Sequence, residues 1–492
     1  MNSSIAMPPL HILLRDFIDK SNYTVYQLAK ISNVNRSTLQ KAISGERSIS
    51  RENLAKIMPF LNLTLQEQQE LQNALLISEM GEVSYQKHMY IKNLLTDSIS
   101  LPDVPINHTE IPLFSSNKKP EYGELIKGSY QIIHAICDML SYELACHEHA
   151  FLYGISSFHD TFFSDLYEQL QADVFSQTEI KHIVPFVKVT DRNDRSSLYN
   201  LDCLSALIPF IMSSQKKNCE FYYCYEESIA ENLSAVPFLH SIVLPQNVML
   251  LSTDCQMALV LSKDTVSYFK KHFHTVLQSS FPLFNTVDTA SLLSAFISLA
   301  SETTQSYMLE LQPCLTAFVD EEIIQNVINR NLPLQQQQLM TATLLTQCSI
   351  LKKMTDFISI FSKKGLDDFV EKGIVYQVPL DLYHPLDLQD RIKILEQLIE
   401  ANESGSKKFY MIKEEVFHPD FEVFTYNTSM LFSYTGPDHK EAGICIIKEI
   451  TVIDSFQDFL LHVVNHNLTY SLEETTDLFR KCCKILKKQL RS

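Results

Sequence analysis

The sequence predicts an α/β protein: an all-α head at the N-terminus, then a large α/β body that contains a duplicated helix-strand-strand-strand-helix unit. Three observations lead there. Four short stretches within residues 8–63 carry apolar residues at helical spacing, with turn residues between them. From Tyr122 onward, helical patterns alternate with apolar runs of strand length. Finally, three segments in the first part of the body are matched in the same order by three in the second.

In the head, Leu10, Leu13, Leu14, Phe17 and Ile18 form the apolar stripe of a first helix, which Asn22 and Tyr23 end. Thr24 and Gln27 fit a capping box, each side chain satisfying a free backbone N–H at a helix start. The second helix then runs from Val25 to Ser32 with Leu28 and Ala29 inward. Asn33 tolerates the left-handed backbone that a sharp turn requires, and Asn35 caps the third helix. There Leu39, Ala42 and Ile43 fall on one face, while Arg36, Ser37, Gln40, Lys41 and Ser44 fall on the other. A fourth helix, Glu52 to Leu61, closes the core with Leu54, Ile57, Met58 and Leu61.

The stretch "TVYQLAKISNVNRSTLQKAISGER" resembles the helix-turn-helix of lambda-repressor-like regulators, also called the xenobiotic-response-element type. Ala29 matches the family's small residue in the first helix of the motif, Asn33 its turn residue and Val34 its buried residue after the turn. Arg36 to Leu39 match its "RST" plus aliphatic pattern. Val25 stands where a phosphate-contacting Gln is common, and Ile43 where an acidic residue is common. The resemblance covers about 55 residues and implies a recognition helix in the major groove of double-stranded DNA. Such a helix, about 10 to 12 Å across, fits that groove. Arg36 then suits guanine N7 and O6, and Gln40 suits adenine, with Asn35, Ser37, Lys41 and Ser44 beside them. Thr24, Arg47 and Arg51 flank the motif and suit phosphate, which fixes register without reading sequence.

Charge agrees with that division. The net charge is -17, yet residues 1–63 hold eight Lys/Arg against four Asp/Glu, which leaves -21 on the remainder. A polyanion is therefore attracted by the head and repelled by the rest.

Beyond the head, Thr64 and Glu67 form another capping box before a helix from Leu65 to Met80, and Tyr85 to Leu95 is helical. The expected division is a head at 8–63, a helical connector at 64–97 and a Pro- and Ser-rich linker at 98–122. Two α/β halves follow: 123–290 for sensing and dimerisation, and 291–492 with a C-terminal helix. In the first half, residues 151–156 and 180–189 read as strands around a helix from His159 to Ala172. "EFYYCYEES" from Glu220 then matches "KFYMIKEEV" from Lys408, each after an amphipathic helix. "NVMLLS" from Asn247 matches "SMLFSY" from Ser429, and the segment from Met257 matches that from Gly443. Duplication predicts pseudo-twofold packing with a cleft between the copies. This body is similar to the two-halved phospholipase D fold borne by some bacterial regulators, although the sequence lacks His-x-Lys-x4-Asp. Leu339 to Ser362 reads as helical, and Leu472, Thr476, Phe479, Cys483, Leu486 and Leu490 form the seam of a last helix.

No two glycines lie one residue apart, which excludes the G-x-G-x-x-G nucleotide cradle, and GxSxG and HExxH are absent. Cys146, His147, Glu148 and His149 are metal-ligating types, but adjacent residues on one helix cannot all face one ion, so no metal is expected. Nor is a cofactor. Cys482 and Cys483 lie near Arg480, Lys481 and Lys484, which suits either lowered thiol pKa values or core packing. Tyr222, Tyr223, Tyr225, Tyr410 and Phe432 suit either a pocket lining or plain core. Eleven scattered cysteines and no apolar run of membrane-spanning length place the chain in the cytoplasm, off membranes.

The expected function is a sequence-specific, DNA-binding transcriptional regulator of bacterial type, a homodimer and not an enzyme, whose body senses a small-molecule, peptide or protein effector. The alternative is an enzyme or protein-interaction module autoregulated by the DNA-binding head.

Overall fold

The computed structural model describes residues 8–96, 122–157, 161–170, 172–189, 196–213, 219–226, 238–286, 297–301, 303–376, 378, 380–413, 421–435, 442–466 and 468–491. Of the linker at 98–122, all but Tyr122 lies outside them. Two compact units divide the chain, one reaching to Met89 and the other beginning at Tyr90.

The first unit is helical: α1 (Leu10–Lys20), α2 (Val25–Ile31), α3 (Arg36–Ser44), α4 (Arg51–Ile57), α5 (Leu65–Met80) and the start of α6 (Glu82–Thr96). Leu14, Leu28, Leu39, Ile57 and Leu71 are wholly buried in its core. The expected four helices are five, because Leu71, Ala74 and Leu75 of α5 complete that core. Leu65, by contrast, sits exposed in the first turn of α5.

The second unit comprises two sheets and their helices. Its first half contains β1 (Leu125–Lys127), α7 (Ser129–Cys146), β2 (Ala150–Ile155), α8 (Thr161–Gln169), β3 (Thr178–Val187), α9 (Ser196–Ser213), β4 (Cys219–Glu226), β5 (Phe238–Val243), β6 (Val248–Ser252), β7 (Met257–Leu261), α10 (Lys263–Gln278) and β8 (Phe281–Pro282). The second half contains β9 (Asn285–Thr286), β10 (Gln305–Glu310), α11 (Glu321–Val327), α12 (Leu334–Lys353), β11 (Asp356–Phe361), α13 (Lys363–Lys372), α14 (Leu388–Ser404), β12 (Lys408–Met411), β13 (Phe421–Thr425), β14 (Met430–Thr435), β15 (Ala442–Ile447), α15 (Ile450–Asn465) and α16 (Leu472–Arg491). The helix expected to continue to Ser362 stops at Lys353. Residues 356–361 instead form β11, a buried strand held between β10 and β12.

The sheets share one strand order. Six strands run β4-β3-β2-β5-β6-β7 in the first and β12-β11-β10-β13-β14-β15 in the second. In each, three parallel strands are followed by an antiparallel meander. Register makes the correspondence residue by residue. Gly154 lies opposite His182 and Ile242, as Met308 lies opposite Ser359 and Phe424. His182 lies opposite Phe221, as Ser359 lies opposite Phe409. All three segment pairs matched in the sequence hold in this register. The repeat is larger than expected, however: β5 and β13 make four strands in the matched unit instead of three, and β2–β3 and β10–β11 extend it backwards.

Side-chain pairs repeat with the register. Tyr153 Oη donates to Glu179 Oε2 (2.7 Å), and its counterpart Tyr307 Oη donates to Asp356 Oδ2 (2.7 Å). The Ser156 hydroxyl and His182 Nε2 are hydrogen-bonded at 2.7 Å, where the second copy has Ser359 Oγ donating to Glu310 Oε1 at 2.6 Å. All four of these last side chains are buried. Such pairs sit inside apolar layers because each polar atom has its partner there.

The halves do not pack with the expected twofold symmetry. α15 lies on β10 and β13, just as its counterpart α10 lies on β2 and β5, but α15 also packs against α9 of the first half. Asn200 Nδ2 donates to Thr451 Oγ1 (3.2 Å) and Tyr225 Oη to Glu449 Oε1 (2.8 Å) across this junction. α14, which corresponds to α9, packs against α16. Different surfaces of the two copies thus meet, and one continuous core runs through both. The C-terminal seam docks on its own half, with Thr476, Phe479, Cys483 and Leu486 buried and Leu490 exposed.

Close approach requires glycine at Gly365 and at Gly373, where a Cβ would lie 2.3 Å from the Leu386 carbonyl oxygen. A Cβ at Gly365 would lie 2.0 Å from the Leu311 carbonyl oxygen. Gly365→Ala is therefore expected to destabilise the body by at least about 1 to 3 kcal/mol, since a backbone atom must shift to relieve the overlap. Urea unfolding followed by circular dichroism measures it; an unchanged midpoint would contradict the packing described.

Candidate nucleic-acid interface

The interface is built around α3, whose orientation is fixed from four sides. At its start Asn35 Oδ1 accepts from Ser37 N (2.8 Å) and from the Ser37 hydroxyl (2.8 Å). Before it, Asn33 has φ 54°, the left-handed turn expected of it, and Val34 N donates to Ala29 O. At its end Gly45 has φ 79°. There Arg15 of α1 donates from Nη2 to the Ile43 carbonyl (3.0 Å). The buried face, Leu39 and Ala42, locks the helix onto the core.

These contacts sort the candidate residues. Thr24 accepts from Gln27 N (3.3 Å) and donates its hydroxyl to Gln27 Oε1 (2.9 Å), so its side chain serves the capping box. Ser37 and Ser44 also spend their hydroxyl protons locally, Ser44 on the Lys41 carbonyl (3.1 Å). Arg51 donates from Nε (2.8 Å) and Nη2 (2.6 Å) to Glu79 Oε2, so contact with phosphate would require breaking that pair. Exposed and outward on α3 are Arg36, Gln40 and Lys41, with Arg47 exposed in the turn that follows. Val25 packs partly into the core and makes no substitute for the family's Gln.

Sequence reading missed two residues. Arg15 is one, since nothing in its local pattern announces a partner 28 positions away. Tyr26 is the other: it is 59% exposed on α2, and the Arg36 guanidinium lies over its ring at 5.8 Å. Their adjacency was legible only once the turn brought α2 and α3 together. A cation over an exposed ring gains about 0.5 to 1 kcal/mol, enough to narrow the orientations Arg36 samples. Tyr26→Ala is expected to weaken DNA binding about two- to fivefold, and Tyr26→Phe to preserve it; fluorescence anisotropy with a labelled duplex tests both.

At the junction of the body's halves the polar groups engage one another. Glu449 caps α15 by accepting from Val452 N (2.8 Å) and Thr451 Oγ1 (2.6 Å) while it also accepts from Tyr225. The junction between the halves is thus a hydrogen-bonded clamp. Tyr223 and Phe432 are core residues, and Tyr222 donates to Glu220. Around Cys146, His147 is exposed with Glu143 at 3.9 Å, and among the described residues no three His, Cys, Asp or Glu side chains converge as metal ligands. Burial pushes the thiols of Cys482 and Cys483 up, against the lowered values that nearby cations suggested. No described helix is long and apolar enough to cross a membrane.

Comparison with known proteins agrees with the head's geometry. The helix-turn-helix family matches residues 14–68, and this segment is a lambda-repressor-like helix-turn-helix domain. No curated protein matches the chain. Among solved structures, phosphatidylserine synthase from Haemophilus influenzae Rd KW20 is similar over 75% of this chain and 94% of that one, at 11% identity and TM-score 0.24. Polyphosphate kinase from Porphyromonas gingivalis is similar over 69% and 49%, at 12% identity and TM-score 0.19.

Proposed function

We propose that the protein is a sequence-specific transcriptional regulator of bacterial type that works in the cytoplasm as a homodimer, and that its α/β body senses an effector rather than performing catalysis. The observation that carries this is the outer face of α3, which a capped and anchored helix presents with the side chains of Arg36, Gln40 and Lys41 exposed and, among the described residues, in no hydrogen bond or ion pair. One recognition helix reads about four base pairs, which is too few for genomic specificity. Two heads on half-sites one helical turn apart supply the rest. The body is far larger than dimerisation needs. An effector that favours one spacing of the heads would alter operator affinity by roughly 1 to 3 kcal/mol.

Selection of bound sequences from random duplex DNA by the full-length protein tests the reading. A palindromic motif is expected. Absence of enrichment at low salt would sink the DNA-binding reading, and a single ungapped half-site would sink the dimer.

A further inference from the structure

We propose that the head carries a small-ligand site of its own, a cleft that takes an apolar anion such as an aromatic carboxylate and that competes with DNA for Arg47. The proposal rests on the DNA-binding reading for its consequence but not for the site. The cleft has a volume of about 550 Å³ and lies among the start of α1, the end of α3 with its following turn, the end of α5 and the start of α6. That volume is in the range of small-molecule pockets, about 300 to 1,000 Å³. Pro9, Leu10, Ala42 and Ile77 give it an apolar lining, and Tyr85, half-buried, offers a ring face and a hydroxyl.

Charge selects the ligand. Arg47 lies on the wall, and its backbone N–H donates to the Lys41 carbonyl (3.2 Å), which fixes the turn while the side chain stays exposed. Its guanidinium enters no hydrogen bond or ion pair among the described residues. Of the head's other arginines, Arg51 is engaged by Glu79 and Arg15 by the Ile43 carbonyl. The acid on the wall, Glu82, accepts from Gln86 Nε2 (3.3 Å). An incoming carboxylate or sulfonate therefore finds Arg47 ready for a two-pronged, charge-assisted contact, while its apolar body covers Leu10 and Ile77.

Position supplies the consequence. Ala42 and Gly45, also on the wall, belong to the last turn and cap of α3, and the His11 ring packs so closely on Gly45 that a Cβ there would lie 3.2 Å from it. A ligand seated here touches the recognition helix from behind and occupies the guanidinium that suits phosphate. Ligand and DNA then weaken each other's binding by the same factor.

Anilinonaphthalene sulfonate, an aromatic anion that fluoresces when its surroundings are apolar, is the probe. Titrated into full-length protein, it is expected to bind at a site that Ser78→Phe, which fills the cleft from α5, abolishes and that Arg47→Gln weakens about tenfold. Ser78→Phe is expected to leave duplex binding intact, which shows that the head has folded. Saturating duplex of the selected sequence should raise the probe's apparent Kd in wild type. Identical titrations for wild type and both variants would overturn the site. Loss in the variants without competition by duplex would overturn the coupling alone, and failure of the protein to bind any duplex would overturn the DNA-binding reading while leaving the cleft result standing.

Discussion

Replacing Arg36 by alanine is expected to weaken binding of the selected duplex by about ten- to a hundredfold, or roughly 1 to 3 kcal/mol, and to flatten the preference at one base-pair position. The stability of the head argues that this side chain is there for recognition. Arg36 opens α3, and no acidic residue stands in that first turn. A cation at a helix N-terminus opposes the macrodipole at a cost of about 0.3 to 1 kcal/mol. The variant loses the contact with Tyr26 as it gains at the helix start, so its stability should stay within about 1 kcal/mol of wild type even as it loses the operator. Lys41→Ala, by contrast, should weaken all duplexes alike and lower the salt dependence of log K by about one contact's worth. Equal losses on specific and random duplex for Arg36→Ala would mean that it touches phosphate and not a base.

The second large effect lies in the body. His182 is wholly buried, hydrogen-bonded through Nε2 to Ser156 and through Nδ1 to Tyr167, with Phe163 and Phe221 against its ring and His240 nearby. Burial drives its pKa from 6.5 down to about 3. The folded value is thus depressed below the unfolded one for a group that is charged when protonated. Above about pH 6.5 both states hold it neutral and it costs nothing. As pH falls from there towards about 3, the unfolded chain takes up a proton that the folded one refuses, and the body loses about 1.4 kcal/mol per pH unit. His182→Gln removes that titration. It should be less stable than wild type at neutral pH, by roughly 1 to 3 kcal/mol for the altered buried hydrogen bonds. At about pH 4.5 the difference should shrink by roughly 2 to 3 kcal/mol. Urea midpoints at the two pH values decide it; a constant difference would mean that His182 is not the group that titrates.

Much of this was legible in the sequence, for local reasons. Caps at Thr24, Asn35 and Thr64, the turn at Asn33 and the stripes of α1 to α4 depend on residues within four positions of one another, and all appear where the pattern put them. Strands β4, β6 and β7 and their copies were matched correctly because apolar and aromatic residues crowd them. β5 and β13 escaped because His240 and Glu422 interrupt their apolar runs, and β11 because "DFISIF" continues a helical pattern without a break. Packing partners were the least legible. Nothing local ties Arg51 to Glu79 or Arg15 to Ile43, and the candidate interface changed most at those residues. The same holds for the junction of the halves, where Asn200 and Thr451 meet from 251 positions apart.

The buried pairs repeated in the two sheets bear on how the body diverged after duplication. At matching sites one copy holds a serine beside a histidine and the other a glutamate beside a serine. A change at either member alone strands a polar group in an apolar layer, at about 1 to 3 kcal/mol. Substitution at these sites is therefore tolerated in couples, or passes through a weakened intermediate. His182→Leu and Ser359→Val each remove one member and the bond its partner makes to it, and each should destabilise the body by about 1 to 3 kcal/mol, read as a lowered urea midpoint.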